Sequence, residues 1–200
     1  MNYTELHSAI KEWIDDTTIS DATIDTFISL TEAKMNRTLR VMDMVVKHPF
    51  TPVDGGEYYD LPADFLGARQ ISIGGYDLDY LTPEQFDGVL YNYVTNGRPR
   101  YYTIIGNQLR FKPTTTVDSN IEMWYYQSIP EIVTNNTNWI GDKWPDAYLY
   151  GGLAEANIYV YDDAKAQQYG LQFANVVSTI DQADKKDRWS GSAMVTRIIL

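Results

Sequence analysis

Apolar residues recur at helical spacing at both ends of the chain and lose that period in its middle. Near the start, Leu6, Ile10 and Trp13/Ile14 lie three to four residues apart, with Asn2 and Glu5 placed to form a capping box. A polar break, DDTTISD, follows. From Ser20 or Asp21, the positions Ile24, Phe27, Ile28, Met35 and Leu39 predict a second helix reaching about Met42. Two helices joined by a short polar turn predict an αα-hairpin.

Between residues 45 and 130 the pattern changes. Pro49, Pro52, Pro62, Pro83, Pro99, Pro113 and Pro130 would interrupt any long helix. Short β-like runs take over. RQISI covers Arg69–Ile73, and RYYTII and QLRFK flank Gly106-Asn107, a hairpin-turn dipeptide. In IEMWYYQ, Ile121, Met123 and Tyr125 alternate with Glu122, Trp124 and Tyr126. A short helix over 83–90, capped by Thr82, interrupts the strands, and YDLDY around Asp77 and Asp79 reads as a hairpin. The spacing predicts four to six antiparallel strands, as one sheet or a small sandwich.

Helical spacing returns after residue 131. Pro145 suits the first position of a helix whose one face carries Leu149, Leu153, Ala156 and Val160. Asp162 or Asp163 caps the next, with a stripe of Ala166, Tyr169, Phe173, Val176, Val177 and Ile180. From Asp184 the tail KKDRWSGSAMVTRIIL shows no clean period. The expected fold is α+β: a helical bundle built from the N- and C-terminal segments, carrying an inserted antiparallel β-sheet or small sandwich. The expected parts are a helical hairpin over 1–44, the β insertion over 45–130, further bundle helices over 131–183 and an arm over 184–200. Gly151 and Gly152 sit inside the helix that Pro145 starts, where each glycine costs about 1 kcal/mol relative to alanine. Lacking a Cβ, they predict close approach of another element.

Composition narrows the function. The net charge is −11, while residues 184–200 hold four basic and two acidic side chains. The acidic excess therefore belongs to the body, which disfavours wrapping nucleic acid as a primary role, because phosphate contacts need clustered Lys and Arg. No apolar run is long enough to span a membrane, and the polar N-terminus does not resemble a secretory signal. Without cysteine, disulfides and thiolate metal sites are excluded. Sixteen tyrosines and five tryptophans suit a β-rich surface, a subunit interface or a sugar site.

Candidate chemistry is sparse. His7 and His48 are the only histidines and fall in no metal or triad spacing. The glycine pairs at 55–56, 74–75 and 151–152 belong to no phosphate-binding motif. Asp60/Asp64 and Asp77/Asp79 could serve as acid and base of a glycosidase, which requires one carboxyl in an apolar pocket. Solvated carboxylates are the ordinary expectation for them, and no catalytic residue and no cofactor is assigned. In Tyr58-Tyr59, Tyr101-Tyr102 and Trp124-Tyr125-Tyr126, neighbouring rings should face opposite sides of a strand, one to the core and one outward.

The ordered words YYDLPADFLGARQISIGG, NGRPRYYTIIGNQLRFKPTT, IEMWYYQSIPEI and NTNWIGDKWPDAYLYGGLAEANIYVYDDAKAQQYGLQFANVVSTI resemble the head-to-tail adaptor (connector) proteins of short-tailed bacteriophages over almost the whole chain. That resemblance implies a structural virion protein and not an enzyme. Its copies would form a ring, usually a dodecamer, under the portal protein and extend the channel through which double-stranded DNA passes. The ring would offer a platform to tail and nozzle proteins, after assembly in the host cytoplasm. It further implies a monomer until the portal is met and a C-terminal arm that contacts the portal. Arg188, Trp189, Met194, Arg197, Ile198, Ile199 and Leu200 are the candidate portal-binding residues. A carbohydrate-binding module of a phage tail, or a cell-wall hydrolase, is the competing reading. It would turn on the tyrosines or on a carboxylate pair.

Overall fold

Reciprocal hydrogen bonds open the first helix. The Asn2 N–H donates to Glu5 Oε2 (3.0 Å) and the Glu5 N–H to Asn2 Oδ1 (2.9 Å). In the computed structural model, which describes residues 1–14, 18–88, 98–116 and 120–190, this box starts α1 (Tyr3–Ile14). Leu6 and Ile10 carry its burial, whereas Trp13 stays 52% exposed. α2 (Asp21–Thr38) is capped by Ser20, whose side chain accepts from the Thr23 N–H. It ends at Thr38, short of Met42. Leu39 is buried in an extended conformation (φ −84°, ψ 139°), so its apolar character comes from the core and not from continued helix. A 3₁₀ turn at Met42–Met44 follows.

The chain divides into two compact units, one formed by Met1–Asp43 with the chain from Ile129 onward, the other by Met44–Ser128. The fold class is α+β.

The second unit begins with β1 (Val45–Phe50), whose Pro49 marks an edge strand. It continues with β2 (Tyr58–Asp60), β3 (Phe65–Ile73), β4 (Tyr76–Asp77), β5 (Asp79–Tyr80), α3 (Pro83–Gly88), β6 (Tyr101–Ile105), β7 (Gln108–Lys112) and β8 (Ile121–Gln127). Two sheets form, in the orders β1-β8-β3-β4 and β2-β7-β6-β5. All neighbours are antiparallel except β5 and β6, which run parallel. The hairpin at Gly106-Asn107 is present, with Gly106 at φ 61° and Ile105 paired to Gln108. The YDLDY hairpin is not. β4 pairs with β3 and β5 with β6, so Asp77 and Asp79 lie in different sheets. Leu78 between them is buried, and its side chain joins the core as the chain crosses from one sheet to the other.

The two sheets share one core, as the period-2 alternation requires. Phe50, Ile71, Ile121 and Met123 come from the first sheet, and Tyr59, Tyr102, Leu109 and Phe111 from the second. Phe50 meets Tyr59 edge-on at 5.8 Å, and Tyr59 meets Phe111 at 5.5 Å. The tyrosine pairs split as their spacing predicts: Tyr58 is exposed and Tyr59 buried, and Trp124 is exposed beside buried Tyr125.

In the first unit, two short helices, α4 (Ile132–Asn135) and α5 (Trp139–Lys143), precede α6 (Pro145–Tyr159) and α7 (Asp163–Ser190). α6 buries Ala147, Tyr148, Gly151, Gly152, Leu153, Ala154, Ala156 and Asn157. These fall on more than one face, which marks a central helix and not an amphipathic surface one. α7 is amphipathic, with Ala166, Val177 and Ile180 buried and Tyr169, Phe173 and Val176 half-buried. It runs straight through Asp184. Its last turns lack an apolar period because they are exposed, and the i,i+4 pairs Asp181–Lys185 and Asp184–Arg188 extend the helix instead.

Candidate functional site

Close packing around α6 organises the helical unit. A Cβ built on Gly151 would lie 2.2 Å from Thr31 Cγ2 of α2 and 3.1 Å from Phe173 Cδ2 of α7. On Gly152 it would lie 2.6 Å from Ile10 Cδ1 of α1. Two adjacent glycines thus admit three helices to one turn. The cost of two helical glycines, about 2 kcal/mol, is comparable to the gain from burying one large apolar side chain, about 1.5–3 kcal/mol.

One turn earlier, Tyr148 sits in a buried polar network. Its phenol donates to Glu32 Oε1 (2.7 Å) and accepts from Asn138 Nδ2 (2.6 Å). Glu32 Oε1 also receives the Ile132 N–H (2.8 Å). Asn138 donates to the Pro130 carbonyl and accepts from the Gly141 N–H, capping α5. Burial pushes the Glu32 carboxyl above its ordinary range, against the hydrogen bonds from Ile132 and Tyr148, with Glu131 adding repulsion. Burial, and then the Glu32 charge, raise the Tyr148 phenol. The network pins segment 130–141 and α6 onto α2. Nearby, Lys34 of α2 pairs with Glu155 of α6.

Of the candidate portal-binding residues, Arg188 lies in the last turns of α7. It pairs with Asp184 (2.5 Å) and donates to the Arg40 carbonyl (3.1 Å). Asp184 in turn accepts the Met42 N–H (2.6 Å). With the Lys143–Asp43 pair and Trp144, these residues line a groove of about 390 Å³. Trp189 belongs to the last turn of α7. Met194, Arg197, Ile198, Ile199 and Leu200 lie outside the described residues.

Three of the four carboxylates weighed for catalysis are engaged singly. Asp60 is exposed and accepts from Gln108, Asp64 accepts the Tyr125 phenol, and Asp77 accepts from Gln70. Burial, and then the hydrogen bond to Asp64, push that phenol up to about 12. Among the described residues no group of three His, Asp or Glu is arranged to hold a metal ion. His48 packs edge-on against Phe50 and Tyr125, and His7 packs beside Tyr3. No helix among the described residues is long and apolar enough to cross a membrane.

Surface features missed by the hydrophobic pattern stand out instead. Tyr161, between α6 and α7, is 91% exposed, and Ile158 and Tyr159 beside it are about half exposed. A second groove, about 360 Å³, lies between Thr38-Leu39 and Phe173, Val177 and Asp181. Exposure of single residues leaves no mark in periodicity. The one available signal was that the turn YVYDD ends a helix without a glycine.

A family model described as SU10 adaptor protein matches residues 1–197. No curated protein matches the chain.

Proposed function

Matched over almost its full length, the chain belongs to the SU10 adaptor protein family, and we propose that it is the head-to-tail adaptor of a phage particle, docking beneath the portal. The family match carries this reading. In it, copies of the chain form a ring, a dodecamer in the particle, that prolongs the DNA channel and seats the tail proteins. An acidic body, with a net charge of −11 per chain, suits a passage that repels DNA and lets it slide.

Portal docking falls to the end of α7 and the residues after it. Arg188 already bonds to the Arg40 carbonyl, so the end of α7 is tied to the segment that follows α2. The residues beyond Ser190 then serve as the arm, with Met194, Arg197, Ile198, Ile199 and Leu200 as its anchors. Apolar side chains flanked by arginine suit an interface core. Electron microscopy of the protein mixed with its portal tests the reading. A ring of added density on the portal is expected, and a bare portal at saturating protein would overturn it.

A further inference from the structure

The turn between α6 and α7 is a complete Schellman motif with the wrong residue in it. The Asp162 N–H donates to the Asn157 carbonyl (2.9 Å) and the Tyr161 N–H to the Ile158 carbonyl (3.2 Å). Tyr161 occupies the left-handed position, at φ 60°. Glycine is the usual occupant there because a Cβ is disfavoured. Tyrosine accepts that strain, and the ring recovers nothing from its own chain. It is 91% exposed, and among the described residues its side chain has no hydrogen-bond or ring partner. A strained, projecting aromatic beside Ile158 and Tyr159 has the composition of an interface hot spot.

A matching hollow lies elsewhere on the same unit. Leu39 and Val177 form its buried floor, Phe173 its wall, and Asp181 its polar rim. At about 360 Å³ it stands near the low end of the roughly 300–1,000 Å³ of small-ligand pockets, a size for one or two side chains. The protrusion cannot fill it within one molecule. Tyr161 precedes α7, and Phe173 to Asp181 lie about 15–27 Å along that helix at 1.5 Å per residue. Charge is complementary. Asp163 is exposed beside the protrusion and Arg37 is exposed beside Thr38 at the hollow, and among the described residues neither has an ion-pair partner.

We infer that Tyr161 of one copy seats in the Leu39–Phe173–Val177 groove of the next, with its phenol toward Asp181 and Asp163 facing Arg37. This deepens the adaptor reading and rests on it. The contact joins two different surfaces of one chain, so repeated rotation can close a ring. The chain has no cysteine, so introduced ones report cleanly. Ala164→Cys and Ser178→Cys proteins, which both keep Tyr161 and carry different tags, are mixed, assembled on portal rings and treated with a short bismaleimide; Ala164 is exposed one turn after Tyr161. Linked 164–178 pairs are expected in the mixture, and only a background level from either protein alone. Arg37→Glu or Asp163→Lys should each weaken ring formation by about tenfold or more, as loss of a hot-spot contact does, and the double reversal should restore it. Rings that assemble without 164–178 links, or with 164–164 links, overturn this contact and leave the adaptor reading standing. A chain that never assembles on the portal removes both.

Discussion

The phenol of Tyr148 donates to the Glu32 carboxyl across 2.7 Å, with both side chains sealed from solvent. Three partners meet there, because Asn138 donates to the same phenol and Ile132 to the same carboxyl. Tyr148→Phe removes one hydroxyl and leaves both Asn138 and Glu32 short of a bond. A loss of about 1–3 kcal/mol is expected, measured by urea unfolding. A double-mutant cycle with Asn138→Ala should show coupling. Additive losses would mean that the network does not act as a unit.

Acid should strengthen this site. The folded protein raises the Glu32 carboxyl above its ordinary 4.5, so it holds the proton more tightly than the unfolded chain does. The stabilisation from protonated Glu32 is therefore complete below that ordinary value and is lost as pH rises through the folded one. Glu32→Gln keeps the shape without the titration. The stability of the parent protein relative to Glu32→Gln should fall as pH climbs from about 4.5. A difference that is flat with pH, read from denaturation midpoints, would contradict the assignment.

The two glycines of α6 should differ in tolerance. Gly151→Ala drives a methyl against Thr31 Cγ2, a β-branched group held in place by its own bond to the Phe27 carbonyl. Gly152→Ala meets only the far end of Ile10. Overpacking of about 1–3 kcal/mol is expected at Gly151 and less at Gly152, where Ile10→Val should restore most of the loss. Thermal melts of the four proteins check the order.

Tyr161→Gly should stabilise the free protein by about 1 kcal/mol by relieving left-handed strain, while weakening assembly on the portal. Stability and assembly moving in opposite directions separate an interface role from a folding role.

Ending the chain at Ser190 should leave the melting temperature of the body unchanged and abolish portal binding. Ending it at Ala183 should also destabilise, by about 1–3 kcal/mol, because Met42 loses its bond to Asp184 and Arg40 its bond to Arg188. Calorimetry and portal pull-down separate the two effects.

Periodicity made the flanking helices, the Asn2–Glu5 box, the Thr82 cap and the Gly106-Asn107 hairpin readable, since each is decided by a few neighbouring residues. What failed is decided by distant ones. Leu39 carries on the apolar period of α2 but is buried as extended chain. Asp77 and Asp79 resemble a hairpin, yet the burial of Leu78 sends them to separate sheets. α4 and α5, at four and five residues, are too short to show a period. The Glu32–Tyr148–Asn138 network spans more than a hundred residues of sequence and carries no local signature.

β1 and β8 are the first and last strands of the sandwich unit, and Val45 lies opposite Tyr126 in their ladder. The polypeptide thus enters and leaves that unit through neighbouring positions on one sheet. Such a module can be exchanged or resized by recombination with its host framework intact, provided the incoming piece presents the same paired ends. The sandwich unit can then diversify in sequence and size faster than the helical unit.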